Sequence, residues 1–82
     1  MPLQLLNPGD RVRLNDEGVK VAGDFCQTRA DAERMMGVLV VERVFPMEVA
    51  HDSGGRLIEN FQSIDLVGWE ALFDNTQMER VH

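Results

Sequence analysis

The run Gly37-Val38-Leu39-Val40-Val41-Glu42-Arg43-Val44-Phe45 is the strongest strand signal in the chain. It is rich in β-branched residues, which favour strands, and Gly37 and Pro46 bound it. Residues 38–41 are all apolar, although successive side chains on a strand point to opposite faces. The run therefore predicts a strand that needs apolar cover on both faces, from a helix on one side or from a partner subunit.

The segment before this strand predicts one short helix. Thr28 begins a pattern close to the capping box that opens many helices. Residues 29–36 tolerate helix well, and Gly37 stands where a left-handed residue would end it. Both methionines, Met35 and Met36, fall on the face that would dock against a core. We expect the helix to span residues 29–36.

Shorter strand signals lie on both sides of this helix and strand. A polar and apolar alternation follows the turn cluster at 7–10, and glycines at 54 and 55 predict a hairpin turn. Short strands separated by such turns predict a mainly-β fold, either a small barrel or a strongly bent antiparallel sheet. The further strands are expected at 11–14 with a short extension at 19–21, at 47–52, at 56–61 and, as a closing edge strand, at 77–81.

The run Pro8-Gly9-Asp10-Arg11-Val12-Arg13-Leu14 resembles the opening of many SH3-like small barrels, in which such a turn leads into the first strand. Residues 37–40 resemble the second strand of those barrels, while 52–55 and 64–66 resemble a later hairpin and the return strand. The resemblance covers about half of the chain. It implies an SH3-like barrel with the helix at 29–36 inserted after the first strand.

Within that fold class, the type II dihydrofolate reductases carry a similar Gly-Asp-Arg-Val-Arg opening, matched here by residues 9–13. Their Val-Gln-Ile-Tyr motif lines the pore of a tetramer. The nearest stretch here is Phe61-Gln62-Ser63-Ile64, in which only Gln62 matches, and the chain has no tyrosine. This resemblance supports the fold and argues against that activity.

Composition limits the classes of function. The 82 residues are enough for a single domain, 1–82. Eight Lys and Arg against fourteen Asp and Glu give a net charge of −6, which argues against direct binding to nucleic acid. A single cysteine excludes a disulfide framework and any multi-cysteine zinc site. No apolar run approaches the roughly 20 residues of a membrane helix, so we expect a cytoplasmic protein.

Residues able to carry catalysis are few. His51 adjoins Asp52, but adjacent residues on a strand face opposite ways, so this carboxylate is poorly placed to orient the imidazole. Cys26 has only Arg29 near it in sequence, whereas a reactive thiolate needs an electropositive environment. We therefore expect no catalytic, cofactor-binding or metal-binding residues, and a protein that is not an enzyme.

The sequence offers more candidates for interaction residues than for catalytic residues. The apolar strand and the methionines predict self-association as a homodimer or higher oligomer. Trp69, the single tryptophan, is either a core residue or an interface anchor. Two arginines share the solvent face of the first strand and suit contact with an anion. The candidate interaction residues are Met35, Met36, Val38, Val40, Trp69, Arg11 and Arg13.

Three functional hypotheses follow. The first is a non-catalytic protein-interaction module that self-associates. The second is a small acidic inhibitor or accessory protein of a phage or mobile element, whose carboxylates imitate phosphate spacing and block a basic nucleic-acid-binding surface. The third is an enzyme whose site is formed across subunits, as in the type II reductases.

Overall fold

A computed structural model describes residues 3–46 and 50–81 of the chain. The elements in chain order are β1 (Arg11–Leu14), α1 (Asp16–Gly23), α2 (Arg29–Met35), β2 (Leu39–Pro46), β3 (Gln62–Leu66), β4 (Leu72–Asp74) and β5 (Met78–Arg80). All strand pairs are antiparallel, and the five strands form one sheet in the order β4-β3-β2-β1-β5. The predicted mainly-β fold is therefore confirmed, and the closing edge strand is β5.

The strong apolar run forms β2, the middle strand of the sheet. Its first half pairs with β1 and its second half with β3, with a break in register between Val41 and Arg43. Leu39 and Val41 point into the core, where they are 6% and 1% exposed. The hydrophobic core contains Leu6, Val12, Ala22, Leu39, Val41, Ile64, Leu66, Trp69, Ala71, Phe73 and Met78.

The helix predicted at 29–36 is confirmed as α2. The Thr28 hydroxyl accepts a hydrogen bond from the Asp31 N–H at 3.1 Å, as its position in the capping pattern requires. The expected left-handed conformation at Gly37 is wrong, because positive φ among the described glycines occurs at positions 9, 55 and 68. The Gly37 N–H instead donates to the Arg34 carbonyl at 3.1 Å, and a tight turn ends the helix.

A second helix, α1, lies where a strand extension was expected at 19–21, and that expectation is wrong. The side chain of Asn15 accepts a hydrogen bond from the Gly18 N–H at 3.1 Å and caps the helix. Asp16 and Glu17 then occupy the first turn, where negative charge stabilises the helix dipole. The cap and the favourable charges of the first turn together outweigh the strand preference of the β-branched Val19 and Val21.

The strand expected at 56–61 is also wrong. His51 and Leu57 form only an isolated bridge, and β3 begins later, at Gln62. Asn60 has a φ of 62°, which turns the chain out of the extended conformation just before β3. Of the strand expected at 47–52, residues 47–49 lie outside the described residues. The hairpin turn at 52–55 is present, with Gly55 at a φ of 79°.

Candidate functional site

An exposed apolar surface lies on the side of β2 that faces away from the core. Val38 and Val40 are 43% and 39% exposed. The Val67 N–H donates to the Val40 carbonyl at 2.9 Å, so Val67, which is 51% exposed, continues the same surface. We define the outer face as the exposed side chains Val38, Val40 and Val67.

A shallow groove of about 360 Å³ runs along the outer face. Its walls are the side chains of Val38, Val40 and Val67. Arg34, Leu39 and the two glycines Gly37 and Gly68 complete its lining. The groove is thus mainly apolar, with a single cationic side chain among its lining residues.

Two arginines flank this surface on β1. Arg11 is exposed and pairs in register with Val40, so it borders the outer face directly. Arg13 is also exposed, and its register partner on the other side is Glu79 of β5. The structure therefore brings together four of the seven candidate residues: Arg11 and Arg13 along β1, Val40 on β2, and Val38 just before β2.

The other three nominated residues are placed differently. Trp69 is only 8% exposed and belongs to the core, where its ring meets that of Phe73 edge to face at 6.5 Å between centroids. Met35 is half-buried against the core, with 3.9 Å between its sulfur and that of Cys26. Met36 is 65% exposed at the C-cap of α2, two residues before Val38.

Arg34 was not nominated from sequence, yet it joins α2 to the turn after β3. Its guanidinium lies over the Trp69 ring, with 5.1 Å between Cζ and the centroid, and donates to the Gly68 carbonyl at 3.0 Å. A cavity of about 240 Å³ beside this contact is also lined by Phe25 and Glu70. The partner lies 34 positions along the chain, so no local spacing in the sequence signals this contact.

Cys26, and Asp52 beside His51, both form hydrogen bonds that support the fold. Cys26 donates its S–H to the Ala22 carbonyl at 3.3 Å and packs beside Met35. The carboxylate of Asp52 accepts hydrogen bonds from two backbone N–H groups, those of Gly54 and Arg56, each at 2.9 Å. Asp52 therefore organises the hairpin turn. Within residues 3–46 and 50–81, no group of three or more His, Cys, Asp and Glu could hold a metal ion.

Gln62, the match to the reductase motif, is buried and holds the N-terminal segment. Its side chain accepts from the Leu6 N–H at 2.8 Å and donates to the Leu6 carbonyl at 3.1 Å. Its own N–H donates to the side chain of Asn75, which in turn donates to the carbonyls of Gln4 and Asn60. These bonds satisfy both buried amides and hold the N-terminal segment against β3.

Hydrogen bonds lower the pKa of two carboxyl groups. The Asn7 N–H, and after it the Arg80 guanidinium, lower the pKa of Asp10 below its usual 3.8. The pKa of Asp31 is lowered chiefly by the Gln27 N–H, with a smaller effect from Thr28. Both groups brace turns and caps, so their shifts indicate structural roles.

No protein-family model matches the chain, and neither the curated proteins nor the solved structures contain a significant match to it. Among the described residues, no helix is both long and apolar enough to cross a membrane.

Proposed function

We propose that this chain is a non-catalytic SH3-like interaction module that self-associates through the outer face. The observation that carries the proposal is the exposed apolar side of β2. Val40 lies there on the middle strand of the sheet and Val38 just before it, and they are 39% and 43% exposed. Contiguous exposed apolar surface marks interaction sites more often than plain solvent-facing surface.

A second copy of the chain is the partner that this surface fits best. An isologous contact needs a patch that is complementary to itself, and the outer face carries both projecting side chains and a groove. Arg11 at its border supplies a polar rim, as interfaces commonly have. Burying the three half-exposed side chains contributes roughly 2–5 kcal/mol per copy, or about 4–10 kcal/mol for the two copies of a dimer. Association costs about 4–15 kcal/mol, so gain and cost nearly balance and we expect a weak, reversible dimer.

The test is sedimentation velocity over a range of micromolar concentrations. The wild type should shift from monomer to dimer as its concentration rises. Val40→Glu should abolish the shift, because it places a carboxylate in an apolar contact, where burying a charge is unfavourable. Leu57→Glu is the matched control: Leu57 is 60% exposed but lies in the hairpin outside the outer face. A wild type that stays monomeric throughout, or a Leu57→Glu variant that is equally impaired, would contradict the proposal.

The net charge of −6 favours one second candidate function, an acidic inhibitor or accessory protein that covers a basic surface. The dependence of association on salt concentration distinguishes this candidate function from self-association. A complex with a basic partner weakens as salt screens the attraction. Two copies that each carry −6 repel one another, so screening should leave their apolar association unchanged or tighter. A dimer that dissociates steeply with added salt would be held by charge and would contradict an apolar contact.

A further inference from the structure

The residues that line the groove on the outer face favour an apolar side chain as its occupant. Its lining includes three valines and Leu39, which is 6% exposed. The only charged lining residue is Arg34, whose guanidinium is already bonded to the Gly68 carbonyl at 3.0 Å. An apolar groove of this kind offers water few hydrogen-bonding partners, so an apolar occupant is favoured.

Met36 is the side chain best placed to fill such a groove in a second copy. At 65% it is the most exposed large hydrophobic residue in the described part of the chain. It stands between Arg34 and Gly37, which both line the groove, yet it does not line the groove itself. Methionine is unbranched and adapts to irregular apolar gaps. An exposed apolar side chain therefore lies next to the groove lining in the chain.

We infer that, in the dimer, Met36 of each copy inserts into the groove of the other. This inference rests on the proposed function, since it specifies how the outer faces meet. Because Met36 is the chain neighbour of Gly37 in the groove lining, a two-fold axis between two copies would make both insertions at once and close the assembly at two copies. Groove and insert are almost free of charge, which leaves the repulsion between two acidic copies to the periphery.

The test begins with Met36→Ala, measured by sedimentation equilibrium on the full chain. Because each dimer loses two insertions, the dissociation constant should rise at least tenfold. Leu57→Ala is the control, since Leu57 is about as exposed, at 60% against 65% for Met36, and should change it less than twofold. An unchanged dissociation constant for Met36→Ala in a chain whose wild type dimerises would overturn the insertion while leaving the proposed function intact.

A mixing experiment distinguishes insertion of Met36 from non-specific association of apolar surfaces. Met36→Glu alone and Val40→Lys alone should each fail to dimerise. When they are mixed, Met36 of the Val40→Lys chain still meets an intact groove on the Met36→Glu chain, and at the other contact the introduced carboxylate faces the introduced ammonium group. The mixture should therefore form a heterodimer that is weaker than wild type and tighter than either variant alone. A mixture that associates no better than its separate components would overturn the inference, and a monomeric wild type would overturn the proposed function as well.

Discussion

The guanidinium of Arg34 stacks on the ring of Trp69, with 5.1 Å between Cζ and the ring centroid. This contact matters because α2 buries none of its residues fully. A helix of seven residues is unstable by itself in water. The Arg34 contacts to Trp69 and Gly68, together with half-buried Met35, therefore hold α2 on the sheet.

Replacing Arg34 with alanine should lower the free energy of unfolding by roughly 1–2 kcal/mol, since the cation–π contact to Trp69, the hydrogen bond to the Gly68 carbonyl and the exposed ion pair with Asp31 are lost. Trp69 is the single tryptophan, so its fluorescence should also change as its ring face becomes accessible. Urea unfolding followed by fluorescence and by circular dichroism measures both effects.

Arg29→Ala is the control for that variant. Arg29 lies on the same helix, and its ion pair with Glu33 joins side chains that are 94% and 72% exposed. Such exposed pairs contribute under about 0.5 kcal/mol. Equal destabilisation by the two substitutions, with unchanged Trp69 emission, would show that the stacked contact does not anchor α2.

Stability should fall in acid partly through Asp10. Its pKa is lowered in the folded chain by the Asn7 N–H and by Arg80, so folding favours the ionised carboxylate. That stabilisation is complete above the ordinary pKa of 3.8 and is lost as the pH falls through the lower folded value. Asp10→Asn should therefore be less stable at neutral pH and lose less stability on acidification.

This is checked by urea unfolding of wild type and Asp10→Asn at several pH values, from neutrality to below 3.8, the ordinary pKa of Asp10. The acid slope should shrink without vanishing, because the pKa of Asp31 is lowered as well. Parallel slopes for the two proteins would mean that Asp10 is bonded equally in the folded and unfolded chains.

The features that could be predicted from sequence are local ones. The strand β2 follows from a run of β-branched residues, and α2 follows from the capping position of Thr28. Each signal lies within a few residues, where pattern and backbone preference act directly. The exposed apolar pair Val38 and Val40 follows in the same way, from the spacing of apolar residues at and just before the start of β2.

The features that could not be predicted depend on distant partners or on competing local signals. Arg34 acquires its role from Trp69, and Gln62 from Leu6, 56 positions away. In α1, valines suggested a strand, while the Asn15 cap and the acidic first turn decide for a helix. Whether Trp69 is core or interface likewise depends on tertiary packing, which periodicity in so short a segment does not encode.

Cys26→Ser and His51→Ala should each leave self-association unchanged. Cys26 contacts the Ala22 carbonyl and Met35, while His51 is exposed near the hairpin. Neither position belongs to the outer face. Sedimentation of both variants, with circular dichroism to confirm folding, is the measurement. A loss of dimer in a folded variant of either kind would place that side chain in the contact and reopen the question of a chemical role.

The two glycines of α1 should respond in opposite directions to alanine. A Cβ at Gly18 would overlap the Gln77 carbonyl oxygen and stand 2.9 Å from Leu14 Cδ2, whereas a Cβ at Gly23 has no atom within 4 Å. At Gly18, α1 packs against the chain just before β5. Gly18→Ala must therefore displace the helix and should lower the free energy of unfolding by roughly 1–3 kcal/mol. Gly23→Ala keeps the backbone and restricts the unfolded chain, so it should be neutral or stabilise by up to about 1 kcal/mol. Thermal and urea unfolding of both variants test the pair. Tolerance of alanine at 18, or equal loss at both positions, would show that α1 does not pack against the residue 77 carbonyl.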